Sequence, residues 1–533
     1  MERRRHVLGS QEALPRHRTV NIVVSILSSL AARFSGLLTQ FITAWYLTAD
    51  EFGLYAVALG ITTFTMMLRG GGTGIIFQSM KAEEYQSVGG GLIRAGIGFG
   101  VLGALLTFGA AMPAEWYFEQ DSLGWLLIWM GLLAVLQQFA NYPRAKMVTA
   151  LLFRQLAWIE VVCAFVKLGT AFYCAKNGSG AATFVISQIV AIILQCGLTC
   201  IWADFRRSDF AVPTHWVGPT FALIRYPLGL SIMISLMDQI DSFVASLFVP
   251  VATLGVYYFS MQMVAQPMKL VIGTLAGVLA PYGALARGNR RQENANLCTA
   301  FNAAIVFVPL FVLSIAAVYP SLERMIWGDK WGSSVVPVVL TCVFLVYPTV
   351  QGVLEGPILG MRQWPKYLTL LSWRAGSKAI GAIGAIIVIK WWDLSGESIA
   401  IALVIGVGAA SSASGLLQTH RLMKECGADR ESLNYELWVT PLYSLLALIA
   451  THGVTTSLMD ALSLDGVASR AVAAIELGCS FVLYGLISLT LLRFAYINNL
   501  KALLFLVPQR WRGHLCTLLV IEPEDPSHNP LGH

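Results

Sequence analysis

Charge is what this sequence has least of. Only 12% of its 533 residues are Asp, Glu, Lys or Arg, about half of the ~25% carried by an ordinary soluble domain. There is no polar domain on which a nucleic-acid-binding face could be built, and a net charge of +6 is modest for one. A phosphate-cradling Gly-x-x-x-x-Gly-Lys-Ser/Thr is absent, so the chain does not itself bind ATP in that way. His-Glu-x-x-His is absent as well, and no outer loop is large enough to hold an active site, so no enzyme activity and no cofactor are expected. The nine cysteines are scattered, most inside apolar runs. Cys196 and Cys200 stand four apart without a histidine cluster, which reads as helix packing rather than a metal site or a disulfide.

What is present is apolar length. Hydrophobic residues make up 56% of the chain, and stretches of roughly 18 or more recur from Asn21 to Phe494, the signature of membrane-spanning helices. The expected fold is an all-α polytopic membrane protein. Hydropathy places about fourteen transmembrane helices at 21–47, 52–80, 88–112, 122–142, 148–174, 181–203, 226–249, 252–280, 297–318, 335–356, 367–390, 396–419, 437–458 and 467–493. Arg3-Arg4-Arg5 ahead of Ile22–Leu30 has the look of a cleavable signal. The apolar run resumes after Arg33 and continues to Leu47, so a first spanning helix behind a basic cytoplasmic tail is the better account.

Loop charge tests that count, because Lys and Arg favour cytoplasmic loops. With the N-terminus inside, inner segments carry about 24 basic residues and outer loops only Lys176, Arg324, Lys330, Lys390 and Arg470. One miscounted span would invert everything beyond it. The expectation is a multi-pass inner-membrane protein with both termini cytoplasmic.

A weak internal repeat adds organisation. Leu47–Tyr55 ends in Gly-Leu-Tyr, Val249–Tyr257 ends in Gly-Val-Tyr, and both join a first spanning helix to a second, six helices apart. An even offset predicts parallel repeats about an axis along the membrane normal, with substrate between halves. The expected division is a basic tail (1–20), an N-lobe of six helices (21–210), a C-lobe of six (211–425), two extra helices (426–495) and a second cytoplasmic tail (496–533).

Against this background the charges inside spans stand out. The cations are Arg33, Arg69, Arg94, Lys167, Lys269, Arg374 and Lys378; the acids are Glu160, Asp238, Asp241, Glu355 and Glu476. Each costs roughly 2.5–3.5 kcal/mol at mid-membrane on insertion scales. Arg94, Lys269 and Glu355 lie nearer helix ends, where snorkelling or a structural ion pair suffices. Arg33, Asp238 and Asp241 fall near the middle. Ser29, Arg33, Gly36, Gln40 and Ala44 share one helical face, as do Ser231, Ser235, Asp238, Ser242 and Ser246. Arg374, Lys378 and Gly381 share another, and Glu160 with Lys167 a fourth. Small and hydroxyl residues also serve tight helix packing, so the serines alone read either way.

Arginine in a cavity suits phosphate, which it grips with two parallel hydrogen bonds. A carboxylate in a poorly hydrated cavity exchanges a proton or binds a cation such as sodium. The candidate substrate-cavity residues are therefore Arg33, Gln40, Arg69, Lys167, Arg374 and Lys378, with Arg33 and Arg69 as an anion site. The candidate coupling residues are Asp238, Asp241 and Glu160. The alternative for Asp241 is a structural ion pair with Arg374 or Lys378.

Several stretches carry a family resemblance: Leu47-Thr-Ala-Asp-Glu-Phe-Gly-Leu-Tyr55, Ile240-Asp241, Leu254-Gly255-Val256-Tyr257, Gln266-Pro267, Val278-Leu279-Ala280-Pro281 and Trp327-Gly328-Asp329-Lys330-Trp331. In this order and spacing the sequence resembles the polysaccharide transporters, the Wzx-like oligosaccharide flippases of the multidrug/oligosaccharidyl-lipid/polysaccharide (MOP) flippase superfamily. The region after about Cys426 matches least. The resemblance implies a MATE-like V of two six-helix lobes and alternating access. The cargo it implies is an oligosaccharide on undecaprenyl diphosphate, moved across the bacterial inner membrane for exopolysaccharide or O-antigen assembly. It implies membrane lipid, a polysaccharide polymerase and export proteins as partners. It places Arg33 and Arg69 on cation-lined spans and matches Asp241 to a seventh-span acid. Two alternatives stand beside it: a multidrug or small-solute antiporter of the same fold, and a membrane glycosyltransferase or polymerase.

Overall fold

The computed structural model describes residues 34–495 apart from 79–81, 151, 213–215, 428–429 and 463–468. Among the described residues the regular structure is entirely helical. The helices are α1 (34–46), α2 (Ala49–Thr65), α3 (Thr73–Gln78), α4 (Ala82–Phe118), α5 (Leu123–Thr149), α6 (Phe153–Lys176), α7 (Ala182–Trp202) and α8 (Val217–Ser246). They continue with α9 (Val251–Ala286), α10 (Arg290–Trp327), α11 (Val335–Gly360), α12 (Trp364–Trp391), α13 (Glu397–Glu425), α14 (Arg430–Leu462) and α15 (Ser469–Ala495). Eleven of them are long and apolar enough to cross a membrane. The fold is an all-α polytopic membrane protein.

Thirteen of the predicted spans coincide with a single helix, the first as far as it is described. The second, 52–80, does not. After α2 ends at Thr65 the chain turns, winds through a short 3-10 segment at Arg69–Gly72, and restarts as α3. Gly70, Gly71 and Gly72 hold φ of 71°, 57° and 71°, a region that L side chains adopt only under strain. A hydropathy window misses this because glycine barely changes the mean.

Two compact units are present, Met1–Leu270 with Leu371–Leu403, and Val271–Leu370 with Val404–His533. In the first, the Leu47–Tyr55 linker forms a capping box. The Thr48 hydroxyl accepts from the Glu51 amide, and the Glu51 carboxylate accepts from the Thr48 amide at 2.7 Å. Phe52 then packs edge-on against Phe184 of α7 and Phe259 of α9, and Tyr55 stacks on Phe184 with centroids 4.4 Å apart. The repeat glycines meet: a Cβ on Gly53 would lie 1.9 Å from the Val251 carbonyl oxygen, and one on Gly255 would lie 1.8 Å from that of Ala49.

In the second unit α10 packs against α11, α14 and α15. Arg324 of α10 donates from one nitrogen to both carboxylate oxygens of Glu476 on α15, at 2.7 Å each. Glu476 thus receives a partner on the neighbouring helix, which ties α15 to α10.

Candidate functional site, a polar cavity around a broken helix

A cavity of about 520 Å³ opens within the first unit, inside the ~300–1,000 Å³ range of ligand sites. Six elements build its wall. α2 supplies Tyr55, Thr62 and Thr63; the break supplies Gly70 and Gly72; the start of α3 supplies Thr73; α5 supplies Gln137, Gln138 and Asn141. Gln188 comes from α7, and Ser231, Ser235, Asp238 and Gln239 come from α8. Irregular backbone at membrane depth persists only where protein buries it or a cavity receives it, and residues 70–72 meet that condition here.

Close contact fixes the break in place. A Cβ on Gly70 would fall 2.6 Å from Gln138 Oε1, and one on Gly72 would fall 2.3 Å from the Pro227 carbonyl of α8. Gln138 donates to the Tyr142 hydroxyl at 2.5 Å, and Gln137 donates to Gln188 Oε1 at 3.5 Å. Thr73 is 1% exposed, and its hydroxyl lies beside the Tyr142 hydroxyl.

The predicted residues distribute as follows. Arg33 lies outside the described residues, as does the side chain of Arg69, whose backbone opens the 3-10 segment. Asp238 lines the cavity, with Lys269 Nζ 3.6 Å from its Oδ1. Three residues on, Asp241 is 3% exposed, accepts from the Tyr257 hydroxyl at 2.7 Å, and has Lys378 Nζ 3.5 Å from its Oδ1. The two carboxylates therefore face different cations, Lys269 on α9 and Lys378 on α12. The ion pair weighed for Asp241 is present, with Lys378 as the cation. Arg374, one turn earlier on α12, is half-buried.

Glu160 pairs with Arg144 of α5 rather than with Lys167. Lys167 is half-buried on α6 and makes no ion pair among the described residues. Gln40 is buried on α1, with its Nε2 unpartnered among the described residues. The serine stripe of α8 divides: Ser231 and Ser235 face the cavity, while Ser242 and Ser246 are buried in packing, Ser246 bonding back to the Phe243 carbonyl at 2.7 Å.

Sequence reasoning passed over the amides. Gln137 and Asn141 stand one turn apart inside an apolar run, and that spacing was the available signal. Gln188, Gln239 and Tyr55 come together only in three dimensions.

Residues 42–336 match the sequence family described as polysaccharide biosynthesis protein. The chain belongs to that family. The stretches from Leu47 to Trp331 that carry the resemblance to polysaccharide transporters all lie inside the matched segment. Among relatives of this polysaccharide biosynthesis family member is the succinoglycan biosynthesis transport protein ExoT of Rhizobium meliloti. It is 23% identical over 355 residues, covering 64% of this chain and 70% of that one. The amylovoran biosynthesis protein AmsL of Erwinia amylovora is 23% identical over 233 residues, covering 43% of this chain and 59% of that one. Among solved structures, an inward-facing multidrug resistance MATE transporter of the MOP superfamily is similar at 16% identity, with 74% of this chain and 96% of that one covered and a TM-score of 0.48. A MOP superfamily transporter from Pyrococcus furiosus aligns at 15% identity over 77% and 96%, also with a TM-score of 0.48.

Proposed function

We propose that the protein is a flippase that carries oligosaccharide repeat units, linked to undecaprenyl diphosphate, across the bacterial inner membrane for exopolysaccharide assembly. The observation that carries this reading is a polar cavity enclosed by spanning helices, in a chain whose family and relatives belong to polysaccharide biosynthesis. Such a cavity offers a sugar headgroup hydrogen bonds in place of the water it leaves, which is the main cost of taking a polar group through hydrocarbon.

In this reading Arg33 and Arg69 grip the diphosphate, since guanidinium matches phosphate oxygens in pairs. The two lobes, 21–210 and 211–425, alternate access to the two leaflets. Asp241 couples the cycle to a proton or sodium ion, because the Lys378 pair has to open before the carboxylate can take up either. The protein performs transport, not catalysis, and works beside a polymerase and export proteins.

Deletion of the gene tests the proposal. The expected result is loss of surface polymer together with accumulation of lipid-linked repeat units in the inner membrane. Polymer at wild-type level, or polymer loss with no lipid-linked intermediate, contradicts it.

A further inference from the structure

Two turns at one end of the second unit are fastened to each other. Residues 287–289 join α9 to α10, and residues 361–363 join α11 to α12. Arg287 donates to the Gly360 carbonyl at 2.9 Å. Glu293, in the first turn of α10, accepts from the Gly288 amide at 3.0 Å through one carboxylate oxygen and from Gln363 Nε2 at 3.2 Å through the other. A further tie, from Asn296 Nδ2 to the Tyr282 carbonyl at 3.0 Å, fixes the end of α9 beside α10.

These links bracket a set of arginines. Arg290 and Arg291 lie between Arg287 and Glu293 on one segment, and Arg362 lies between Gly360 and Gln363 on the other. All three are exposed, and none is in an ion pair among the described residues. Glu293, the acid inside the bracket, already accepts on both oxygens. Arg362 holds φ of 57°, a left-handed backbone that favours glycine, and yet it carries a guanidinium. Membrane topology asks only for positive charge in such loops. It does not ask for charges fixed in register across two of them.

Beside the arginines the surface is apolar. Leu285 is 80% exposed and Tyr282 46% exposed on the last turns of α9. An exposed leucine next to arginines is best placed at the bilayer interface, its side chain toward the acyl chains and the guanidiniums at headgroup level.

We propose that the two joined turns form a binding site for the headgroup of an anionic phospholipid in the adjoining leaflet. Arg290, Arg291 and Arg362 donate to the phosphate oxygens, and Leu285 and Tyr282 lie along the acyl chain. The bound lipid holds this end of the second unit to one leaflet. The site stands apart from the cavity around the broken helix and does not depend on the nature of the cargo.

The test uses the full-length protein, purified in a non-ionic detergent, with binding of individual lipid molecules read by native mass spectrometry. The probes are phosphatidylglycerol and phosphatidylcholine with identical acyl chains; inorganic phosphate and pyrophosphate serve as competitors. Phosphatidylglycerol is expected to bind about tenfold tighter than phosphatidylcholine or more. The variant Arg290→Gln/Arg291→Gln/Arg362→Gln should lose that preference. Arg154→Gln/Arg207→Gln/Arg225→Gln, which removes as many exposed charges from the first unit, should keep it. Glu293→Leu separates a built site from general attraction: it makes the protein more positive but releases both turns, and affinity for phosphatidylglycerol is expected to fall severalfold. Gln363→Leu, which breaks only the link between the turns, gives the same readout if Glu293→Leu does not fold.

Equal binding of the two lipids overturns the inference. So does an unchanged preference in the first triple variant, or an equal loss in the second. Tighter binding by Glu293→Leu, or by Gln363→Leu in its place, would reduce the site to diffuse charge. Displacement of phosphatidylglycerol by phosphate or pyrophosphate at equimolar concentration would make it a site for free anions and not for a lipid.

Discussion

Gly53 and Gly255 hold matching places on α2 and α9, each set against the first turn of the other helix: Gly53 meets Val251 and Gly255 meets Ala49. That reciprocity is the relation a two-fold axis produces, since the residue four positions into each helix touches the start of its counterpart. The Gly-x-Tyr repeat is thus a packing device. Only a hydrogen in place of a side chain lets two backbones approach this closely. Gly255→Ala, which in an ordinary helix would gain up to about 1 kcal/mol, is expected to lower stability here by roughly 1–3 kcal/mol through overpacking. Thermal unfolding of the detergent-solubilised variant measures this, and an unchanged or raised melting temperature would contradict the close crossing.

Asp241, Tyr257 and Lys378 form a second linkage, between α8, α9 and α12. Asp241→Asn keeps the shape and leaves a partly buried lysine without its counter-charge. The expected cost is up to about 3 kcal/mol, the lower end for a broken buried pair, since Lys378 retains some exposure. Combining Asp241→Asn with Lys378→Met removes both charges and should recover most of the melting temperature. Transport should stay lost in the double variant, because the site that takes up the coupling ion is gone. Recovery of polymer export along with stability would reduce Asp241 to a structural residue.

The Arg324–Glu476 contact between α10 and α15 makes a smaller prediction. Both oxygens are engaged, yet the arginine is about half exposed. A double-mutant cycle with Arg324→Ala and Glu476→Ala should give a coupling of about 0.5–1 kcal/mol, falling as salt rises. A coupling near zero would show that α15 docks by apolar contact alone.

Arg33→Ala is expected to abolish polymer export in a null strain while the protein still inserts at native level, and Arg33→Lys to keep part of the activity. Lysine preserves the charge but not the paired hydrogen bonds. Normal polymer from Arg33→Ala would remove this residue from the diphosphate grip.

Much of the architecture was legible in the sequence because the bilayer imposes a length and a composition on every spanning helix. Loop charge agrees with the parity of spans that hydropathy counts. The break at Arg69–Gly72 was visible only as three consecutive glycines, and hydropathy averages them away. The split of the α8 stripe had no signal, since Ser235 and Ser242 are the same residue type at the same periodicity. What separates them is which neighbour they meet, the open cavity in one case and packed helix in the other. Most of the amide wall was hidden for a related reason: Gln137 and Asn141 share α5 and left a spacing to read, but Gln188 and Gln239 stand singly on two other helices, where one residue leaves no pattern.

Movement of the cargo itself tests the account most directly. Proteoliposomes containing the wild-type protein and a fluorescent oligosaccharide on undecaprenyl diphosphate would be treated with a membrane-impermeant quencher, with and without an imposed proton or sodium gradient. The account predicts protein-dependent loss of the protected inner-leaflet signal, accelerated by one of the two gradients and abolished in Asp241→Asn. A signal that decays no faster than in protein-free vesicles under either gradient would contradict it.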